Sequence, residues 1–284
     1  MFNIIEKRKI LFAVPCAIIL IGLICFFAFG GLNTDIDFTG GTAMEIDLGT
    51  KFNEDAVRDA IGKVDGVKVS SVQSSGATKT IVKTAELPHD KLVEVQDAIK
   101  KAFPDSQISS VDSVSATMGK EMWWNAAKAV LIAVVLMLVY IWFRFELYSG
   151  IAAILALCHD IIIIIAMYAI FQFPVNSTFI AAILTILGYS INATIVVFDR
   201  IRENQKIMRK ESFGDIVNKS VWQTLARSIN TSVTTLVTLV CLYVLGVTSI
   251  KQFTIPLVIG VVCGTFSSVF IAGQFWVLLR GNKR

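Results

Sequence analysis

Six long apolar runs, with one polar stretch between the first two, predict an α-helical integral membrane protein of six transmembrane helices and a single exported α+β domain after the first helix. The composition agrees. Hydrophobic residues make up 55% of 284 and the mean hydropathy is strongly positive, which excludes a soluble globular chain. A hydrocarbon core about 30 Å thick takes roughly 18 to 20 residues of helix to cross.

The first run, 10–29, is uncharged and follows Lys7, Arg8 and Lys9. The apolar core of a cleaved signal peptide is only about 7 to 15 residues long, so this run reads as a retained helix. The other spans are 126–143, 150–171, 177–198, 229–247 and 253–279. Pro15 and Pro256 fall inside spans, which membrane helices tolerate where neighbours satisfy the freed carbonyls.

Between the first two spans the periodicity changes. Strands are expected at 41–49, 67–75, 78–86 and 106–115, with helices at 53–64, N-capped by Asn53, and at 88–103. The order βαββαβ is the ferredoxin-like arrangement. The chain therefore divides into residues 1–29, the N-terminus and first helix; 30–125, the exported domain; and 126–284, a five-helix bundle with a basic cytoplasmic loop at about 199–227.

Orientation follows from the positive flanks. The N-terminus carries three Lys or Arg, the segment 199–227 carries seven, and Arg280, Lys283 and Arg284 close the chain, so both termini are expected in the cytoplasm. The domain at 30–125 holds ten Lys or Arg against fifteen Asp or Glu, which is no nucleic-acid footprint. It contains no paired carboxylates, Ser/His/Asp set or phosphate loop, and His89 reads as a solvated first-turn residue. No catalytic role, cofactor or metal is expected. All five cysteines, at 16, 25, 158, 241 and 263, lie in spans and read as small lipid-buried or core residues. Gly30, Gly31, Gly40 and Gly41 permit backbone angles that a hinge or a close-packed turn needs, and Gly40 and Gly41 are the hinge candidates. Trp123 and Trp124 suit a membrane interface at the foot of the second span.

Four stretches carry a family resemblance: "DIDFTGG" after the first span, "LCHD" in the third, "GYSIN.TIVVFDRIREN" in the fourth and "ARSINTSVTTL" leading into the fifth. In order and spacing they resemble the SecF family of the resistance–nodulation–division superfamily. The resemblance implies a bacterial inner-membrane subunit, multi-pass, that pairs with a SecD-like subunit and works beside the SecYEG channel. It implies use of the proton gradient to draw unfolded polypeptide across the lipid bilayer. One position departs. The family usually places Asp after the Asn of "GYSIN", as its leading proton carrier, and this chain has Ala193 beside Asn192. The family also places an Arg facing that acid, and here the matching residue is Arg227.

Charged side chains at mid-membrane cost roughly 2.5 to 3.5 kcal/mol on insertion scales, so polar residues there are functional candidates. Ala181, Thr185, Gly188 and Asn192 recur at helical spacing as one small, polar stripe, either a helix-packing seam or the wall of a proton path. Asp160 lies near the middle of the third span and suits structural pairing or proton handling. His159 precedes it, but adjacent helical positions point about 100° apart, so no direct pair is expected. Arg227 is either an interfacial snorkelling cation or the partner of the missing acid. Gly260, Gly264 and Ser268 form a small-residue ladder for close packing in the sixth span.

Three functions fit: a gradient-coupled translocation subunit whose coupling is disabled by Ala193, a small-molecule exporter of the same superfamily, and a membrane scaffold without ion transport. A single domain of about 95 residues leaves little room for an exporter's drug pocket.

Overall fold

The structure, a computed structural model, describes residues 4–74 and 77–281, with all of their side chains but those at 142 and 248. Ser75, Lys283 and Arg284 lie outside the described residues. In chain order the elements are α1 (Arg8–Ala28), α2 (Ile36–Thr39), β1 (Gly41–Asp47), α3 (Glu54–Gly62), β2 (Val69–Ser74), β3 (Lys79–Thr84), α4 (His89–Ala102) and β4 (Gln107–Val114). The long helices follow: α5 (Ala116–Arg144), α6 (Leu147–Phe171), α7 (Ser177–Ile207), α8 (Phe213–Leu245) and α9 (Thr248–Phe266), the last continued through a π-helical turn, Ser267–Ile271, into α10 (Ala272–Arg280). Six helices are long and apolar enough to cross a membrane, as expected: α1, α5, α6, α7, α8 and the run from α9 to α10. The chain forms two compact units, one of residues 34–127 and one of residues 1–33 with 128–284.

The smaller unit has the expected βαββαβ order, with an antiparallel sheet ordered β2-β3-β1-β4. Alternation in β1 sends Met44 and Ile46 inward, with Leu48 just beyond, and all three are fully buried. Helical spacing of four brings Val57 and Ile61 of α3, and Val95 and Ile99 of α4, onto the same core. Asn53 caps α3 as anticipated, its Oδ1 accepting from Asp55 N at 3.1 Å. In the "DIDFTGG" segment Asp35 caps α2 and meets Lys83 Nζ at 2.9 Å, both side chains nearly enclosed.

Two glycines of that segment behave otherwise than an open hinge requires. Gly40 and Gly41 have φ of +76° and +142°. A Cβ on Gly40 would stand 2.7 Å from Ala116 Cα, and one on Gly41 would stand 2.5 Å from Thr84 O. The pair forms a close-packed turn. Gly30 and Gly31, also at positive φ, have open surroundings.

In the larger unit, helices extend beyond the apolar runs. The basic segment 199–227, expected as a loop, is largely helical: α7 runs to Ile207 and α8 starts at Phe213. Hydropathy ends at Asp199, but the following Arg, Glu, Asn, Gln and Lys residues favour helix as strongly as they resist lipid. Ser212 then starts α8 by accepting from Asp215 N. Across this hairpin Asn204 Nδ2 donates to Ser220 Oγ at 2.7 Å and to Gln223 Oε1 at 2.8 Å. Residues 116–125, assigned to the exported domain ahead of the second span, are the first part of α5.

Candidate functional site

The small-residue ladder of α9 positions the first of two polar centres. A Cβ on Gly260 would overlap Ile186 of α7, and one on Gly264 would lie 3.2 Å from Ser190 Cβ. These four residues interlock at a spacing of four on each helix, so α7 and α9 approach closely. That approach carries Ser190 of α7 and Cys263 of α9 to Asp160 of α6.

Asp160 is 1% exposed. Ser190 Oγ and Ser267 Oγ donate to its Oδ2 at 2.5 and 2.8 Å, and Cys263 Sγ donates to Oδ1 at 3.3 Å. His159 Nδ1 lies 3.0 Å from Oδ1. This contact corrects the expectation that His159 and Asp160 form no direct pair. Their Cβ atoms diverge, but the ring nitrogen nearest the imidazole's attachment point swings back across the helix to the carboxylate. A buried carboxyl without partners is costly, and here α7, α9 and the π-turn each contribute a donor. The π-helical turn begins at Ser267, a location that π-bulges favour at functional sites.

The second centre is a cavity of about 220 Å³ between α7, α8 and α9 with its π-turn. Ala193 and Asn192 line it on one side and Arg227 on another, with Thr265 and Ser268 behind. Tyr189 Oη and Ser232 Oγ lie 3.0 Å apart, and Ser232 Oγ is hydrogen-bonded to Thr265 Oγ1 at 2.5 Å. Among the described residues no acidic side chain lines it. Adjacent residues of the π-turn thus serve different centres, Ser267 bonding Asp160 and Ser268 lining the Arg227 cavity.

The stripe of Ala181, Thr185, Gly188 and Asn192 is exposed along α7. Nothing comes within 4 Å of a Cβ on Gly188, so this glycine, expected to pack a helix, packs against none among the described residues. On α8, Arg227, Asn230, Thr231, Thr234 and Thr238 are exposed too. The threonines return their hydroxyls to their own helix, as Thr185 to Ala181 O and Thr231 to Arg227 O, each at 2.9 Å.

Sequence patterns missed Ser190, Cys263 and Ser267 as partners of Asp160. One local signal existed, the spacing of four between Cys263 and Ser267, which puts both on one helical face. Cys263 is a core residue, and Cys16, Cys158 and Cys241 are exposed on the bundle's surface.

Known proteins resemble this chain along its length. The family described as "Protein export membrane protein SecD/SecF, C-terminal" matches residues 94–282. Protein translocase subunit SecF of Alicyclobacillus acidocaldarius is 39% identical over 99% of this chain and 94% of its own length. Protein translocase subunit SecDF of Bacillus subtilis is 38% identical, the match covering 98% of this chain and 38% of that protein. The crystal structure of SecDF from Thermus thermophilus, described as a translocon-associated membrane protein, superposes with a TM-score of 0.89 at 31% identity, over 98% of this chain and 38% of that one.

Proposed function

The chain belongs to the SecD/SecF family of protein export membrane proteins, and from that premise we propose that it is a translocase subunit of the bacterial cytoplasmic membrane, not an enzyme, whose own proton coupling is disabled at Ala193. Its proposed partners are a SecD-like subunit, the SecYEG channel and the unfolded polypeptide in transit, with both chain termini in the cytoplasm and residues 30–125 exported.

One observation carries the coupling reading: Ala193 and Arg227 line the same polar cavity, and among the described residues no acid lines it. A guanidinium in a hydroxyl-lined space between membrane helices is a half-built charge site. A carrier must gain and lose its proton in turn, so it needs desolvation favouring the neutral form and a cation favouring the charged form. Arg227 supplies the second influence and the membrane the first. Alanine can hold no proton. Asp160 is read as a structural anchor, because it is buried and side chains of α6, α7, α9 and the π-turn converge on its carboxyl.

The partner reading rests on the exposed polar stripe of α7 and α8, which lipid would not solvate. Relatives named SecDF also contain the counterpart of this chain within a longer polypeptide. Any hinge is placed at Gly30–Gly31, where space is open, in preference to Gly40–Gly41.

Vesicles containing the chain, a SecD-like subunit and the channel test the proposal. Gradient-dependent export should be absent with the chain as it stands and appear with A193D. Equal export by the two forms would remove position 193 from the mechanism.

A further inference from the structure

A second cavity, of about 390 Å³, opens between α1, α6 and α9, away from the exposed polar stripe of α7 and α8. Its wall includes Val14 and Ile18 of α1, Met167 of α6, and Val258 and Phe266 of α9. At its rim Val14 and Val262 are 54% and 53% exposed, so the mouth faces the hydrocarbon of a surrounding bilayer. His159 also lines it. The His159 side chain is 10% exposed, and its Nε2 is buried with no hydrogen-bond partner among the described residues. The other ring nitrogen is committed to Asp160. Of the other lining residues only Cys263 carries a polar hydrogen, and its thiol is turned to Asp160.

We propose that this cavity binds an uncharged amphiphile drawn from the bilayer, a hydrocarbon body carrying one hydroxyl, with the hydroxyl on His159 Nε2. An apolar chamber with a single placed polar group is the common design of a small-molecule site. The wall selects against charge, because no Lys, Arg, Asp or Glu lines it. The ring selects a hydroxyl over groups that only donate or only accept. With Nδ1 carrying its proton toward Asp160, a neutral imidazole presents a lone pair at Nε2, and a protonated one presents N–H. A hydroxyl satisfies both states, so it stays bound whichever one His159 adopts. Occupancy would reach the Asp160 centre through the same ring, which makes the cavity a place where a membrane-soluble compound acts on the packing of α6 against α7 and α9.

The test uses the full chain in phosphatidylethanolamine–phosphatidylglycerol nanodiscs and a decanol bearing a photoreactive diazirine and an alkyne tag. Labelling should saturate, map to peptides holding Val14, Ile18, Met167 or Val258, and be competed by unlabelled decanol more effectively than by decane, by roughly fivefold. His159→Phe should abolish that preference for alcohol over hydrocarbon while leaving residual labelling. Val258→Trp, which fills the chamber, should remove saturable labelling. Three outcomes overturn the proposal: labelling that never saturates and spreads to outward residues such as Leu131 and Val240, equal competition by decane and decanol, or loss of labelling once a SecD-like subunit is bound. The last would make the cavity a subunit contact.

Discussion

The Asp160 centre and the Ala193 cavity lie on neighbouring helices and share the π-turn of the sixth span, yet they are opposite in kind. Asp160 is an acid surrounded by donors, with His159, Ser190, Cys263 and Ser267 all directed at one carboxyl. The Ala193 cavity holds a cation, Arg227, and several hydroxyls but no acid. The first is closed, with Asp160 1% exposed, and the second borders an exposed face. A buried polar group with every partner in place fixes helices in register, whereas a charge left without its counterpart marks a place where something is expected to move or bind. On the proposed reading, the same membrane unit keeps one ionisable side chain as an anchor and another as an unfinished site.

The largest effect should come from breaking the closed centre. Asp160→Ala removes the carboxyl on which Ser190, Cys263, Ser267 and His159 converge, and each buried donor left unsatisfied costs about 1–3 kcal/mol, for a total of roughly 3–5 kcal/mol. Unfolding of the purified chain in detergent should show a loss of that order. Asp160→Asn retains an acceptor oxygen and should lose less. If Asp160→Ala unfolds like the parent, the anchor reading fails and proton handling by Asp160 regains ground.

Next in size is completion of the open centre. A193D should cost up to about 2.5–3.5 kcal/mol of insertion, reduced by Arg227. A double-mutant cycle isolates that reduction: Arg227→Leu should be nearly neutral in the parent and destabilising in the A193D background. Independence of the two substitutions would separate positions that the cavity places together.

A smaller effect is expected at the seam between the centres. Gly260→Val would drive methyl groups into Ile186, and overpacking of this kind costs typically about 1–3 kcal/mol. It should also weaken the Asp160 centre, because Ile186 lies one turn from Ser190 on α7 and a displaced α7 moves the Ser190 hydroxyl off Asp160. The reading is checked by measuring the change of stability in the parent and in the Asp160→Ala background, where the coupled part should vanish.

How far the sequence discloses these centres differs for the same reasons. The six spans and the βαββαβ unit are legible because each rests on a local period, an apolar run of one length or an alternation such as Met44, Ile46 and Leu48. Helix ends are less so, since apolarity stops at Asp199 while the helix continues on polar residues to Ile207. The pairing of Ala193 with Arg227 was suggested by family resemblance, not by any period. The donors to Asp160 come from distant stretches of the chain, and beyond the spacing of four between Cys263 and Ser267 no local pattern announces that they converge with Ser190 on it. Nor could spacing distinguish Gly188 from Gly260. Both are small residues in membrane helices, yet one faces open space and the other an isoleucine.

That last contrast gives the smallest effect on the chain alone and the sharpest statement about a partner. Gly188 belongs to the exposed stripe with Ala181, Thr185 and Asn192, and a Cβ there meets nothing within 4 Å. Gly188→Leu should therefore leave the stability of the isolated chain within about 0.5 kcal/mol, as substitutions away from packed features do. Close approach of a second helix depends on small residues, and a leucine in such a seam holds the backbones apart. Co-purification with a SecD-like subunit should fall in Gly188→Leu, while Gly260→Val should reduce the stability of the chain whether or not that subunit is present. If Gly188→Leu copurifies as well as the parent, the stripe is not the subunit seam, and the polar face of α7 must meet water or polypeptide instead.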